Sequence, residues 1–202
     1  MINKKKEIFV IIDGSSYLYR AFYALPHLKN NSGSHTGAIF GVTNMINKLL
    51  NDFSPKYVCA VFDARGKNFR HRIYKEYKSN RKSMPTELSE QVEPIFDFLK
   101  YMGIKVIQHP DVEADDVIAS LVNKHSTNIQ TFISSGDKDL AQLVNKNVSL
   151  VNSLDGKQLD QDGVKKKFGV APNQIKDYLT LVGDSSDNIP GVPKIGPKTA
   201  VN

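Results

Sequence analysis

The sequence has one cysteine and only short hydrophobic runs, and both shortages restrict what the protein can be. Cys59 lies alone in the apolar run VCAVF, so no internal disulfide can form, and we expect a small buried side chain in a reducing, cytoplasmic setting. The first apolar stretch, IFVII, covers five residues before Asp13, which is too short for a signal-peptide core or a membrane span. The sequence also lacks a Cys/His set with the spacing of a zinc site.

A net excess of positive charge is lacking outside one segment. Residues 65–82, RGKNFRHRIYKEYKSNRK, hold eight Lys/Arg and one Glu, a net charge of +7, whereas the rest of the chain sums to −1. A solvated charged helix is the ordinary explanation of such a run, but those helices usually mix signs. Because Phe69, Tyr74 and Tyr77 are interleaved with the cations, we interpret the segment as a binder of a nucleic-acid backbone with stacking surfaces.

Short β-branched runs alternate with helical patterns over about the first 160 residues. We predict strands at 7–12, 57–62, 104–108, 130–135 and 148–152, and helices at 15–25, 38–53, 86–102, 112–125 and 139–144. Ser15 or Ser16 is the expected cap of the first helix, and Thr86 of the third. This alternation predicts an α/β fold with a mostly parallel sheet covered by helices on both faces. The remaining residues read as helical, in DGVKKKFG and APNQIKDYLTLVG.

Acidic residues follow four of the predicted strands. Ligands of such sheets bind at the carboxyl ends of the strands, so these acids should meet at one edge. Two further acids in GDSSDN are three residues apart and could face one way on a helical turn. The nine acids are Asp13, Asp63, Glu113, Asp115, Asp116, Asp137, Asp139, Asp184 and Asp187.

Carboxylates crowded in this way must be neutralised by protons or cations. One or two acids at the first turn of a helix are ordinary, because they interact well with the helix dipole. The dipole alone does not explain the three acids in VEADD. Ligands that are all carboxylates favour Mg²⁺ or Mn²⁺. Two such ions can clamp a phosphoryl group, which together with the basic segment indicates hydrolysis of nucleic-acid phosphodiesters. A phosphatase of small molecules is the alternative, but it would not need the basic segment.

The tail NIPGVPKIGPKTA predicts a tight hairpin between two helices. Its backbone amides can approach phosphates, with a helix N-terminus behind them. A plain helix–helix turn is the alternative, and after GDSSDN we favour binding of a duplex backbone.

Five segments together resemble the motifs of the 5′-nuclease domain of bacterial DNA polymerase I, a member of the flap endonuclease superfamily. They are FVIIDGSSYLYRAFYAL, VFDARGKNFRHRIYKEYKSNR, EADDVIASL, SSGDKDLAQLV and GDSSDNIPGVPKIGPKTA. The resemblance implies a PIN-like nuclease core at 1–168 with a basic arch at about 65–85. It also implies a helix–hairpin–helix module at 169–202, cut in its second helix. The implied activity is 5′→3′ exonuclease and flap endonuclease action on DNA in replication and repair.

The resemblance also implies roles for single residues. Asp13, Asp63, Glu113 and Asp115 would ligate a first metal ion; Asp115, Asp137, Asp139 and Asp187 would serve a second; Asp116 and Asp184 would lie further out. Lys78 and Arg81 would contact the scissile phosphate and, with Asp13 and Asp115, form the catalytic set. The implied DNA-binding residues are Arg20, Arg70, Arg72, Tyr77, Lys78, Arg81, Gly191, Lys194, Gly196 and Lys198, with K⁺ as a further candidate ion at the hairpin.

The expected partner is DNA with 5′ flaps, nicks, gaps or RNA primer ends. We expect the protein to be a monomer and not to bind a membrane. Two alternatives stay open. A non-catalytic binder of DNA structure would use the acids only to tune affinity through cations. A PIN-type ribonuclease would share the carboxylate chemistry but would leave the arch and the GVPKIG hairpin unexplained.

Overall fold

We describe the fold from a computed structural model, which covers residues 6–25, 28–125, 129–153 and 155–202. The strands are β1 (Ile8–Asp13), β2 (Tyr57–Val61), β3 (Lys105–Ile107), β4 (Gln130–Ser134), β5 (Val148–Val151), β6 (Gln158–Leu159), β7 (Gly183–Asp184) and β8 (Ile189–Pro190). The α-helices are α1 (Gly14–Ala24), α2 (Gly37–Phe53), α3 (Phe69–Ile73), α4 (Thr86–Tyr101), α5 (Ala114–His125), α6 (Gln161–Phe168), α7 (Ile175–Val182) and α8 (Pro197–Ala200). Two 3-10 helices cover Asp139–Leu143 and Pro172–Gln174.

Six strands form one sheet in the order β3-β2-β1-β4-β5-β6. The first five are parallel, and β6 runs antiparallel to β5 at the edge. The predicted, mostly parallel sheet is therefore confirmed. This strand order places β1 between β2 and β4, so the carboxyl ends of these three parallel strands lie side by side.

Helices cover both faces of the sheet, as predicted, and β1 shows why. Val10 and Ile12 pack with α1, α2 and α4, whereas Phe9 and Ile11 pack with α5, α6 and α7 on the other face. A strand buried on both faces needs a continuous apolar run, which IFVII supplies. The described helices include none that is long and apolar enough to cross a membrane.

Several local features differ from the predictions or were not predicted. Pro85, not Thr86, precedes the first turn of α4, and no side chain caps that helix. Residues 139–143 form a 3-10 helix instead of an α-helix. The basic segment contains a short helix, α3, which Asn68 caps by accepting a hydrogen bond from the Arg70 amide. These differences are local, and they leave the order of the strands unchanged.

The last part of the chain is helical apart from a small hairpin. Strands β7 and β8 pair antiparallel between α7 and α8. We expected the two acids of GDSSDN to share a helical turn, and this was wrong, because they lie at the end of β7 and in the turn that joins it to β8. A β-turn also brings residues three apart together, so the two acids still lie on the same short turn.

Candidate active site

The acids that follow the strands meet at the carboxyl edge of the sheet, as predicted. Asp13 is the last residue of β1, and Asp63 follows β2 by two positions. Glu113 directly precedes α5, and Asp137 follows β4. One cavity of about 310 Å³ is lined by six of the acids and three basic side chains, which are Asp13, Asp63, Glu113, Asp115, Asp137, Asp187, Arg20, Lys78 and Arg81.

The remaining three acids line cavities next to this one. Asp116 and Asp139 share a cavity of about 560 Å³ with Glu113, Asp115 and Asp187. Asp184 shares a smaller one with Asp137, Asp139 and Asp187. All nine predicted acids therefore lie in one connected region, although they come from positions up to 174 residues apart in the sequence.

Two of the acids also fix the ends of helices. Asp13 Oδ1 accepts a hydrogen bond from the Ser16 amide at 3.0 Å, so Asp13 caps α1, and the prediction that Ser15 or Ser16 would do so was wrong. Asp63 Oδ1 accepts a hydrogen bond from the Ala114 amide, at the start of α5, at 2.8 Å. Both carboxylates are thus held in place by helix N-termini, whose positive partial charge favours an anion.

Ser135 links two acids of the site, and our sequence reasoning did not identify it. Its hydroxyl donates to Asp13 Oδ2 at 2.5 Å and accepts a hydrogen bond from the Asp137 amide at 2.9 Å. The side chain is 5% exposed, so these bonds are made away from solvent. The only signal in the sequence is its position directly before Gly136 and Asp137.

Burial and mutual repulsion raise the pKa of three acids. Burial, together with the charges of Asp137, Asp13 and other neighbours, raises the pKa of Asp115 to about 8. Burial raises the pKa of Asp13 to about 6, and the hydrogen bonds from Ser135 and Ser16 limit the rise. Burial and the charge of Asp137 raise the pKa of Asp139 to about 6. At neutral pH Asp115 therefore keeps its proton unless a cation replaces it, whereas Asp13 and Asp139 ionise less readily than exposed acids.

The basic segment folds over the acids and neutralises others. Lys78 Nζ lies 2.7 Å from Glu113 Oε1 and 3.7 Å from Asp187 Oδ2. Burial acts to raise the pKa of Glu113, but the hydrogen bond and charge of Lys78 outweigh it and lower this pKa. Arg81 pairs with Asp187, and Arg70 forms two hydrogen bonds of 2.7 Å with Asp116. The basic segment therefore contacts the acid cluster directly, which the sequence did not predict.

Tyr77 and Asn68 belong to this segment and are buried in the protein. The Tyr77 hydroxyl donates to Glu113 at 2.8 Å and lies 3.1 Å from an oxygen of Asp187. Asn68 Nδ2 donates to Glu113 at 2.8 Å. Tyr77 is only 5% exposed, so in this arrangement its ring packs against His71 and is not free to stack on a base. Asn68 was not among the predicted residues, and its sequence signal is the cap position before α3.

The β7–β8 turn binds the basic segment directly. The Lys78 amide donates to the Asp187 carbonyl at 2.9 Å, and Asn188 Nδ2 donates to the Glu76 carbonyl at 2.8 Å. Asn80 Nδ2 donates to the Ser185 carbonyl at 2.8 Å. Lys78 holds a left-handed φ of 54°, a conformation that costs a non-glycine residue energy and that these bonds stabilise. The segment and the turn therefore form one hydrogen-bonded unit above the acids.

The other predicted DNA-binding residues are placed on two sides of this unit. Arg20 lines the acid cavity and donates to Ser153, whereas Arg72 pairs with Asp111 at the outer surface. Lys194 and Lys198 are exposed on the tail.

Two glycines allow the tight hairpin. A Cβ on Gly191 would lie 2.3 Å from the Val182 carbonyl oxygen, and one on Gly183, at φ 77°, would lie 2.3 Å from the Gly191 nitrogen. Gly196, by contrast, has open space around it. The close approach of the backbone therefore requires the first two glycines, which the sequence motif alone could not distinguish from the third.

The side chains suit a hard divalent cation by type. All nine acids offer carboxylate oxygens as metal ligands. The buried Oδ1 of Asp139 has no hydrogen-bond partner among the described residues. As they stand, however, no three acidic, histidine or cysteine side chains in the described ranges form a ready ligand set around one point. Lys78, Tyr77 and Arg81 already occupy oxygens of Glu113 and Asp187. A metal ion that binds Glu113 or Asp187 would have to displace these side chains from the carboxylate oxygens.

Comparisons with known proteins agree with this geometry. A family model described as "5'-3' exonuclease, N-terminal resolvase-like domain" matches residues 8–169, and one described as "5'-3' exonuclease, C-terminal SAM fold" matches residues 170–202. The chain is similar to DNA polymerase I of Pseudomonas aeruginosa, with 49% identity over 193 residues, which cover 95% of this chain and 21% of that protein. It is also similar to the 5'-3' exonuclease of Buchnera aphidicola subsp. Baizongia pistaciae, with 45% identity, covering 100% of this chain and 67% of that protein.

A solved structure shows the same fold. It is the bacteriophage T5 D15 flap endonuclease variant D155K in a pseudo-enzyme–product complex with DNA and metal ions, with a TM-score of 0.75 at 24% identity. The match covers 96% of this chain and 73% of that one. The predicted PIN-like nuclease fold with a helical C-terminal part is thereby confirmed.

Proposed function

This chain belongs to the 5'-3' exonuclease family, and from that premise we propose that it is a metal-dependent, structure-specific 5′ nuclease of DNA. The observation that carries the proposal is the convergence of acids from β1, β2, α5 and β4 in one cavity beneath the basic segment. A polyanion held by that segment would lie over the acids. The chain spans about a fifth of the polymerase I relative, and we propose that it serves replication and repair as the nuclease part of such a polymerase.

We propose two Mg²⁺ or Mn²⁺ ions as the cofactors. Asp13, Asp63, Glu113 and Asp115 would hold one ion, and Asp115, Asp137, Asp139 and Asp187 the other, with Asp116 and Asp184 further out. When bound, the ions would polarise the scissile phosphate and lower the pKa of the attacking water. The raised pKa of Asp115 supports a cation at this position, since a cation would replace the proton. We also keep K⁺ as a proposed ligand of the GVPKIG hairpin.

Lys78 and Arg81 have two roles in this proposal. They form ion pairs with Glu113 and Asp187. When cations take over the acids, the two side chains are free to turn to the phosphate and stabilise its developing negative charge. The tail, with Gly191, Lys194, Gly196 and Lys198, would contact the duplex backbone.

Cleavage of a 5′-labelled DNA flap with Mg²⁺ tests the proposal. We expect the wild-type chain to release short 5′ products, and Asp13→Ala or Asp115→Ala to lower the rate by at least about a hundredfold, since they remove ligands. Asp97→Ala, on the exposed face of α4, is the matched control and should cleave normally. Binding of the duplex should survive in all three variants, because the basic residues are untouched.

A non-catalytic binder of DNA structure is the second candidate. The observation that favours it is the self-neutralised state, in which Lys78 and Arg81 occupy the acids. This candidate requires metal-dependent binding without products, so the same gel separates the two. Equal turnover in the wild type and both acid variants would refute the nuclease.

A further inference from the structure

A second cavity lies beside the acid cluster and is different in character. It has a volume of about 610 Å³ and lies between α1, α4 and the loop after β2. Its floor is apolar and buried, formed by Leu18, Phe62, Val92 and Phe96. The rings of Phe62 and Phe96 meet edge to face, 4.7 Å apart. Its size falls within the range of about 300–1,000 Å³ that is typical of small-ligand sites.

The cavity is continuous with the proposed active site. Ser15, Tyr19 and Asp63 line both this cavity and the cavity of the acids. A group in the apolar cavity would therefore be the direct neighbour of a group held over the carboxylates.

The two ends of the basic segment form the rim. Arg65 and Gly66 lie at its start, and Met84 lies just past its end; all three are exposed. A strand that passes beneath the segment toward the acids must therefore pass the mouth of the cavity. Met84 can adapt to different shapes, because its side chain is unbranched and flexible.

The charges at the cavity exclude a phosphate as its occupant and favour a base. Glu93 and Asp63 both line it, and a phosphate beside two carboxylates would be repelled. A nucleobase is neutral and has two apolar faces that can pack on the floor. Except in thymine, it also carries an amino group that can donate a hydrogen bond to a carboxylate such as Glu93. Arg65 at the rim is placed to pair with the phosphate that leads out of the cavity.

We propose that this cavity receives the nucleobase on the 5′ side of the cleaved phosphodiester, turned out of the displaced strand. The inference rests on the proposed function and adds a subsite to it. The base would anchor the strand in an apolar environment while its 3′ phosphate lies over the acids. The floor itself carries no polar group, so all four bases should be accepted, and Glu93 should favour adenine, cytosine and guanine, whose amino groups can donate to it, over thymine.

A matched pair of variants and a modified substrate test the subsite. Ser89→Trp, at the exposed edge of the cavity on α4, should fill the cavity, whereas Glu90→Trp adds the same bulk at a neighbouring exposed position outside it. The substrates are a 5′ flap and the same flap with an abasic tetrahydrofuran at the nucleotide 5′ of the cut. Binding is measured by fluorescence anisotropy with Ca²⁺ in place of Mg²⁺.

We expect the abasic flap to bind the wild type and Glu90→Trp about tenfold more weakly than the intact flap, the loss of one typical base contact. Ser89→Trp should bind both flaps equally, at the weaker level. A 2-aminopurine at the same nucleotide should gain fluorescence on binding to the wild type and to Glu90→Trp, because it leaves its stacked neighbours, but not on binding to Ser89→Trp.

The outcomes separate the subsite from the nuclease. Normal Mg²⁺-dependent cleavage of the intact flap, combined with an abasic effect below twofold in the wild type, overturns the subsite and leaves the nuclease standing. An equal abasic effect in Ser89→Trp and the wild type also overturns it. No cleavage of the intact flap by the wild type refutes the nuclease itself.

Discussion

Asp115→Asn should stabilise the metal-free protein while it abolishes cleavage. The folded state raises the pKa of Asp115 from 3.8 to about 8, through burial and the neighbouring acids. Between these values the folded state binds more protons than the unfolded state, so the free energy of unfolding falls as pH rises through this window. Asparagine carries no charge and escapes this loss. The stability difference between variant and wild type should therefore grow from pH 4 to pH 8.

The size of the effect follows from about 1.4 kcal/mol per pKa unit. For Asp115 alone, the variant would gain about 1.5 kcal/mol at pH 5 and about 4 kcal/mol at pH 7. The charge of Asp13 contributes to the raised pKa of Asp115, so the two groups titrate together, and removing the charge of Asp115 lets Asp13 ionise more easily. We therefore expect about 2 kcal/mol at pH 7, which for a chain of this size is about 4–8 °C in Tm.

Thermal melts in EDTA at pH 5, 7 and 8 measure this difference, and Asp52→Asn on the exposed face of α2 is the matched control. Adding Mg²⁺ should raise the Tm of the wild type, since a ligand that binds only the folded state stabilises it, and should raise that of Asp115→Asn much less. If Asp115→Asn melts with the wild type at every pH in EDTA, the acids are not crowded as described and the reasoning fails.

Three further predictions concern other parts of the chain. Ser135→Ala removes the donor to Asp13 and should weaken activation by Mg²⁺ by about 10–100-fold, measured as the Mg²⁺ concentration at half-maximal cleavage; an unchanged midpoint would contradict its positioning role. Gly191→Ala forces a Cβ against a backbone carbonyl of α7 and should cost about 1–3 kcal/mol in a urea melt, whereas Gly196→Ala, with open space, should cost little. Burial raises the pKa of Cys59 to about 12, so a thiol reagent at pH 8 should label the native protein far more slowly than the urea-unfolded one, and equal rates would show that this strand is accessible.

Much of the site was predictable because it depends on the ends of strands. Parallel strands in one sheet bring their carboxyl ends to a shared edge, so acids that follow apolar runs must meet there. Asp13, Asp63 and Asp137 follow this rule. Asp187 does not, and only its motif marked it in advance. Its position depends on a hairpin that we had predicted as a helical turn.

The residues that the sequence did not reveal are buried polar groups with partners far along the chain. Gln91 is 1% exposed, and its Oε1 accepts hydrogen bonds from the amides of Ala38 and Ile39. These two amides lie in the first turn of α2 and have no partner within the helix. Ser135 and Asn68 orient acids in the same way. Nothing in the local pattern distinguishes such residues from exposed ones, because the bond exists only once both elements are packed.

The sequence by itself determined the α/β class, the parallel sheet and the edge at which the acids meet, since hydrophobic periodicity and chain order carry that information. The tertiary structure alone decided how the charges are balanced there. Lys78, Tyr77 and Arg81 approach Glu113 and Asp187 over 35 to 110 positions of sequence. Electrostatic energy depends on distance and burial, and neither is written in the order of the residues.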